Sequence, residues 1–269
     1  MEKQECTTLF LDVRNFTHLM QYNEDNEKFY KLIKSIYDLG TKFVSSFSPK
    51  NDYYINSTGD GFVCIFFGES SEIRAFLTAL LLQKHLEPLF DNFKPLNKEY
   101  QEEDNKKEIG AFYFGLGIES GFVEKISSDD NRLETYLGNV INMAARIESL
   151  SKEHGRAPIL YGPVFNENIV MQLFGKSYKS LMEIVKERTP NVKELHKEMT
   201  DINERLLSSY INEHKIKGAE GFVPVFRVSP SLLKLHNYEV DIIKKTKDFL
   251  NFMIFLQNYY DIISCRNNI

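Results

Sequence analysis

Apolar and polar positions along the chain fall into blocks with two distinct periods. "CTTLFLDV" is a nearly continuous apolar run closing on Asp12, the pattern of a buried strand. "NEDNEKFYKLIKSIYDLGTKFVSSF" instead spaces its apolar residues along one face of a helix after an acidic start. "DYYINS" and "FVCIFFG" are β-rich runs joined by the four residues "TGDG", which predicts a hairpin. A helix opened by serines follows over "SSEIRAFLTALLLQKHLEPLF", and the charged stretch from about Asp91 to Glu108 reads as a loop. "AFYFGLGIESGFVEKI" is a long strand or hairpin, and "RLETYLGNVINMAARIESLSKEHG" passes from a strand through Gly138 into a helix. "APILYG" is a strand and "GPVFNENIVMQLFG" a helix. A polar helical insertion is expected from Lys176 to about Tyr210, a closing strand pair in "KIKGAEGFVPVFRV", and a helical tail from Pro230.

The order β, α, β-hairpin, α, β, α, β places a hairpin inside an alternating series. That predicts the α/β (α+β) class, with a mixed sheet of split βαβ type and helices on one side. The expected division is a catalytic-size domain over residues 1–229, containing the insertion at about 176–210, and a C-terminal helical extension over 230–269.

Composition narrows the partners. With 42% hydrophobic and 26% charged residues, the chain can build a soluble core. Its net charge of −5 gives no general attraction to nucleic acid or to an anionic membrane. Cys6, Cys64 and Cys265 are far apart and show no metal-ligand spacing, which fits a reducing cytoplasm better than a disulfide framework. "MEKQECTT" is too polar for a signal peptide. The run "DFLNFMIFLQNYYDIISC" is interrupted by Asp248, Asn251, Gln257, Asn258 and Asp261, so an amphipathic helix is expected there rather than a stable membrane span.

The chemistry centres on Asp60, set between Gly59 and Gly61. On its own the stretch is a hairpin with a polar tip. In a split βαβ sheet, however, the first strand lies beside that hairpin, and Asp12 and Asp60 then point into one crevice. Two such carboxylates need divalent cations to offset their repulsion, and oxygen-only ligands favour magnesium or manganese.

Five blocks in order resemble the class III nucleotidyl cyclases: "TTLFLDVRNFTHLM", "INSTGDGFVCIF", "GLGIESGFV", "YLGNVINMAARIESLSK" and "KIKGAEGFVPVFRV". The resemblance implies the palm-type, ferredoxin-like cyclase sheet. It also implies two Mn2+ or Mg2+ ions on Asp12 and Asp60, with the Val13 carbonyl as a further ligand. The backbone of Asn15, Phe16 and Thr17, at a helix start, would hold phosphates. Asn142 would position the ribose, and Arg146 would stabilise charge on the reacting phosphate, the pair lying four apart on one helix face. The implied reaction is in-line attack of a 3′-hydroxyl on the α-phosphorus, releasing pyrophosphate. No dedicated protein base stands out; His18 near Asp12 is read as a solvated helix residue. In this family the metal acids and the Asn/Arg pair come from opposite subunits, so a homodimer with composite sites is expected.

The base-reading positions depart from the purine enzymes. Asn56 stands where adenylate cyclases commonly have Lys and guanylate cyclases Glu, and Thr135 stands where Asp is frequent. Asn and Thr can each donate and accept, so nothing enforces a purine edge. Strand alternation puts Tyr54 on the face of Asn56, where its ring would narrow the pocket towards a one-ring base or simply pack beneath the hairpin. Lacking a recognisable sensor or membrane domain, the chain resembles the standalone pyrimidine cyclases of the Pycsar antiphage systems, which make cyclic UMP or cyclic CMP. UTP or CTP is the expected substrate, with ATP as the alternative. Ala219 occupies a place where the family often carries a triphosphate-binding Lys, leaving Lys217 as a substitute. A non-catalytic nucleotide-binding homologue is disfavoured because Asp12, Asp60, Asn142 and Arg146 are all present.

Overall fold

A computed structural model describes residues 3–17, 20, 26–92, 112–128, 134–154, 158–174 and 208–228. They belong to two compact units, Met1–Gly162 and Pro163–Ile269. His18, residues 176–207 of the insertion and the tail from residue 230 lie outside the described residues, as does most of the charged stretch after Asp91.

The first unit is built on β1 (Lys3–Val13), β2 (Tyr53–Ser57), β3 (Phe62–Phe67), β4 (Phe114–Ser127), β5 (Glu134–Leu137) and β6 (Ile159–Tyr161). Spatially they run β2-β3-β1-β4-β6, with β5 pairing the far end of β4. Pairing is antiparallel except between β4 and β6, so the sheet is mixed, as the sequence order predicts. β1 is central because an unbroken apolar run suits a strand covered on both faces: Leu9, Leu11 and Val13 are buried on one side, Cys6 and Thr8 on the other.

Helices α1 (Asn26–Phe47) and α2 (Ser71–Asp91) cover the Leu9–Leu11 face. α1 offers Phe29, Leu32, Ile36, Phe43 and Val44 as its buried stripe, while α2 is buried on nearly every side through Gln83. Thr7 on this face bonds the Ser71 and Ser120 hydroxyls, each at 3.0 Å, so the polar start of α2 is tied to the sheet. The serines do not cap α2 as expected. Ser70 sits at φ +57° without a side-chain cap bond, and Ser71 spends its hydroxyl on Thr7 and Glu72. Arg74 instead donates to the Phe67 and Glu69 carbonyls and fixes the β3–α2 corner.

The third helix, α3 (Asn139–Ser149), corrects the one-sided arrangement read from the sequence. It rests on the opposite face, because a Cβ on Gly117 would lie 2.1 Å from the Ala144 carbonyl oxygen, and Gly117 pairs with Phe10 rather than with Leu9 or Leu11. The physical reason lies in alternate positions of β4. Gly115, Gly117 and Gly121 remove side chains from one face, which lets a helix backbone approach the sheet closely. A short 3₁₀ turn, Leu150–Glu153, continues from α3.

In the second unit, α4 (Pro163–Phe174) packs on β8 (Val223–Val228), which pairs antiparallel with β7 (Ser208–His214). The closing strand pair therefore starts upstream of the expected "KIKG". Ser208–Tyr210, read as the end of the helical insertion, is strand, and Lys215–Phe222 forms the connection. The alternation in "SSYINEH" is the signal for this strand, interrupted by an irregularity between Tyr210 and Asn212.

Candidate active site

Cross-strand partners share a sheet face, so the pairings sort the candidate residues. Asp12 pairs with Gly115, Phe10 with Gly117, Asn56 with Val63 and Tyr54 with Ile65; Val63 and Ile65 are the β3 partners of Phe10 and Thr8. Asp12, Tyr54 and Asn56 thus belong to the α3 face. The opposite face is given over to packing under α1 and α2.

Asp60 reaches Asp12 through the geometry of the hairpin tip. Gly59 adopts φ +102°, a conformation that side-chain-bearing residues avoid, and Thr58 N–H closes the turn on the Gly61 carbonyl at 2.9 Å. The Tyr37 hydroxyl donates to the Gly59 carbonyl at 2.6 Å, pinning the tip to α1. Gly61 has a different task. A Cβ there would lie 1.9 Å from the Leu11 carbonyl oxygen and 2.9 Å from Asp12 Cα, so only glycine lets the tip lie against the end of β1. Gly61→Ala should therefore destabilise the fold by about 2 kcal/mol or more. It should also lower activity further than urea melts account for, since relief of the clash moves Asp60 away from Asp12. Equal losses in both measurements would contradict this account.

The two carboxyls come within hydrogen-bonding reach of each other. Burial, then the charge of Asp60 and the hydrogen bond to it, push the Asp12 carboxyl up to about 6, while the Val13 amide and Lys152 pull it down. A half-buried pair of acids this close is stabilised by a cation between its members. With only oxygen donors present, the pair fits a hard divalent ion. Among the described residues no helix is long and apolar enough to cross a membrane.

The remaining expected residues fall in three places. Asn15, at φ +59°, turns the chain out of β1 into the helical Phe16–Thr17. Asn142, exposed, and Arg146, half-buried, stand one turn apart on α3. Asn56 is exposed near the hairpin tip, and Tyr54 packs: its ring lies 4.9 Å from Tyr136 and its hydroxyl donates to the Glu134 carbonyl at 3.1 Å. That bond brings β2 to the strand carrying Thr135, which alternation turns to the side of β5 opposite Tyr136. Lys217 belongs to the second unit, in the connection between β7 and β8. Cys6 and Cys64 are free and buried, and burial pushes the Cys6 thiol up to about 12, leaving it neutral; Cys265 lies outside the described residues.

Sequence reading missed a polar group behind Asp12. Glu148, on the buried stripe of α3 with Val140, Ala144 and Ile147, accepts from the Ser151 hydroxyl at 3.1 Å. Arg14 Nε donates to the same hydroxyl at 3.0 Å. Burial, followed by the charge of Asp12, pushes Glu148 up to about 7; Ser151, Arg14 and Lys152 oppose that rise. An acid on the apolar side of an amphipathic helix was the available signal. Tyr136, which packs on both Tyr54 and Phe67, was likewise overlooked.

The family model described as the adenylate and guanylate cyclase catalytic domain matches residues 1–156. An adenylate cyclase of Anabaena cylindrica is 27% identical over 189 residues, which are 65% of this chain and 34% of that protein, so the chain spans about a third of this curated relative. Among solved structures, the adenylyl cyclase CyaB from P. aeruginosa superposes with a TM-score of 0.52 at 18% identity, covering 86% of this chain and 96% of that one. The dimeric guanylyl cyclase domain of the RhoGC fusion protein from Blastocladiella emersonii gives 0.51 at 13% identity, covering 85% and 98%. At these identities the structural matches establish a shared fold.

Proposed function

The chain belongs to the adenylate and guanylate cyclase catalytic domain family, and from that footing we propose that it converts a nucleoside triphosphate into a 3′,5′-cyclic nucleotide and pyrophosphate. The observation that carries the reading is the meeting of Asp12 and Asp60 on the sheet face that also bears Tyr54 and Asn56. Divalent ions held by Asp12, Asp60 and the Val13 carbonyl would supply Lewis-acid activation of the 3′-hydroxyl and neutralise charge on the departing pyrophosphate. The chain's own groups provide the rest. Backbone amides of Asn15, Phe16 and Thr17 receive phosphate oxygens. Asn142 orients the ribose and Arg146 lies over the α-phosphate, both delivered by a second copy of the chain in a homodimer with composite sites. Lys217 is assigned to the triphosphate in place of the lysine replaced by Ala219. The catalytic domain on this reading is 1–229, with 230–269 as an extension, working in the cytoplasm.

For the base, we favour a pyrimidine, UTP or CTP, and a role as second-messenger synthase in antiphage defence. Asn56 imposes no purine polarity, and the Tyr54–Tyr136 pair gives the hairpin side of the face an aromatic wall suited to a single ring, whereas Thr135 is turned to the other side of β5. The name of the Anabaena relative favours a second reading, an adenylate cyclase with atypical base-reading residues. Purified protein supplied with Mn2+ and each of the four ribonucleoside triphosphates separates them by product. Cyclic UMP or cyclic CMP is expected to exceed cyclic AMP at least about tenfold, the low end of what a size difference in a pocket provides. Predominant cyclic AMP selects the second reading, and no cyclic product from any triphosphate overturns both.

A further inference from the structure

Resting on that cyclase reading, we propose that Glu148, held by Ser151 and Arg14, is a positioning residue of the cation site, supplying from outside the coordination shell part of the negative field in which Asp12 and Asp60 take up divalent ions. The geometry turns on Gly115. It lies directly across the β1–β4 ladder from Asp12, so the two positions share a face. The space where a Gly115 side chain would start is filled by Glu148 Oε1 and Ser151 Oγ, 2.0 and 2.3 Å from the ideal Cβ position. Glycine in β4 thus admits a carboxylate from α3 into the sheet beside the metal acid.

That carboxylate is held rather than loose. Ser151, fully buried, donates to it and receives Arg14 Nε in turn. Arg14 is itself anchored where β1 ends, its backbone N–H donating to the Tyr113 carbonyl at 2.7 Å. Packing alone gives no reason for an acid here, because the neighbouring buried positions Val140, Ala144 and Ile147 are apolar, and Arg14 and Lys152 only partly offset the cost of burying a carboxylate near Asp12. A divalent ion on Asp12 and Asp60 would offset the rest. A negative charge held behind a metal site raises its affinity for cations, and loss of an outer partner typically weakens such a site about 10–100-fold. The same chain of contacts joins the strand end bearing Asp12 to the helix bearing Asn142 and Arg146.

The test measures Mn2+ binding to the metal-free full chain, without nucleotide, by the electron paramagnetic resonance signal of free Mn2+. Wild type, Asp60→Asn, Glu148→Gln and Ser151→Ala are compared, each with a thermal melt. Glu148→Gln keeps the shape and an acceptor for Ser151 but removes the charge. It should bind Mn2+ about tenfold more weakly, melt at or above the wild-type temperature, and leave KM for the triphosphate unchanged once Mn2+ is saturating. Ser151→Ala keeps the charge but loses the bridge, and should fall between the two. Glu148→Gln and Ser151→Ala affinities both within twofold of wild type overturn the inference while the cyclase reading stands, whether or not the melting temperature falls. Wild-type binding no tighter than that of Asp60→Asn overturns the cation site and the inference together.

Discussion

Asp60→Asn is expected to lower the rate of cyclic nucleotide formation by at least about a thousandfold, equivalent to roughly 4 kcal/mol of barrier, while the protein melts at the same or a higher temperature in metal-free buffer. The two halves of this expectation have one origin. Asp60 lies close enough to Asp12 to help hold its carboxyl up at about 6. Without a cation, that proximity is a penalty. It is absent below the ordinary carboxylate range, grows as the pH rises towards 6, and is present in full above it. Asparagine removes the part due to Asp60, so any gain in melting temperature should be visible near pH 7.5 and disappear near pH 4. The same substitution removes the negative charge that a divalent ion needs, and asparagine, though it retains an oxygen, is a weaker ligand. An active and more stable variant would show that the pair has no part in catalysis. A variant both inactive and unfolded would be uninformative on its own, which is why the melt and the rate are measured on one preparation.

Mixing two inactive chains, Asp12→Ala and Arg146→Ala, is expected to restore about a quarter of wild-type activity. Random pairing makes half the dimers mixed. In each mixed dimer one composite site carries both substitutions and the other carries neither. Half of the dimers with half of their sites intact gives the quarter. Asp12 closes β1, and Arg146 sits half-buried on α3 next to the buried Ile147 and Glu148. Size-exclusion chromatography of each variant establishes that dimers form before mixing. Recovery of activity across a titration of the two chains, peaking at equal amounts, is the expected record. A mixture no more active than its components, with mixed dimers demonstrated, would place a complete site within one chain.

Much of the first unit was legible because its signals are local. Two β-rich runs joined by the four residues "TGDG" read directly as a hairpin, and the apolar block before Asp12 has the length and character of a central strand. The convergence of Asp12 and Asp60 followed from topology, since a hairpin returning beside the first strand brings its tip to that strand's end. What sequence could not supply is which face a helix takes. α3 has an ordinary amphipathic pattern, and its seat is fixed by glycines on β4, whose spacing reads equally well as turn chemistry until their cross-strand partners are known. The Ser70–Ser71 pair misled for a related reason. A serine before a helix suits a cap, but here Thr7 across the sheet competes for the hydroxyl. Glu148 stood on the apolar stripe of α3, but what it faces across the sheet could not be read until its burial and partners were known.

The division of labour between the two sides of the sheet bears on how readily substrate choice can drift. Tyr54 and Asn56 lie on β2, which ends the strand order of the first unit among the described residues, and Asn56 is open to solvent. Exchanges at surface positions of a marginal strand usually alter folding free energy by only about half a kcal/mol. On the proposed reading, in which Asn56 meets the base from an exposed position, the buried scaffold under α1 and α2 would be insulated from exchanges there. Base preference could then change by single substitutions at that position without a prior reserve of stability.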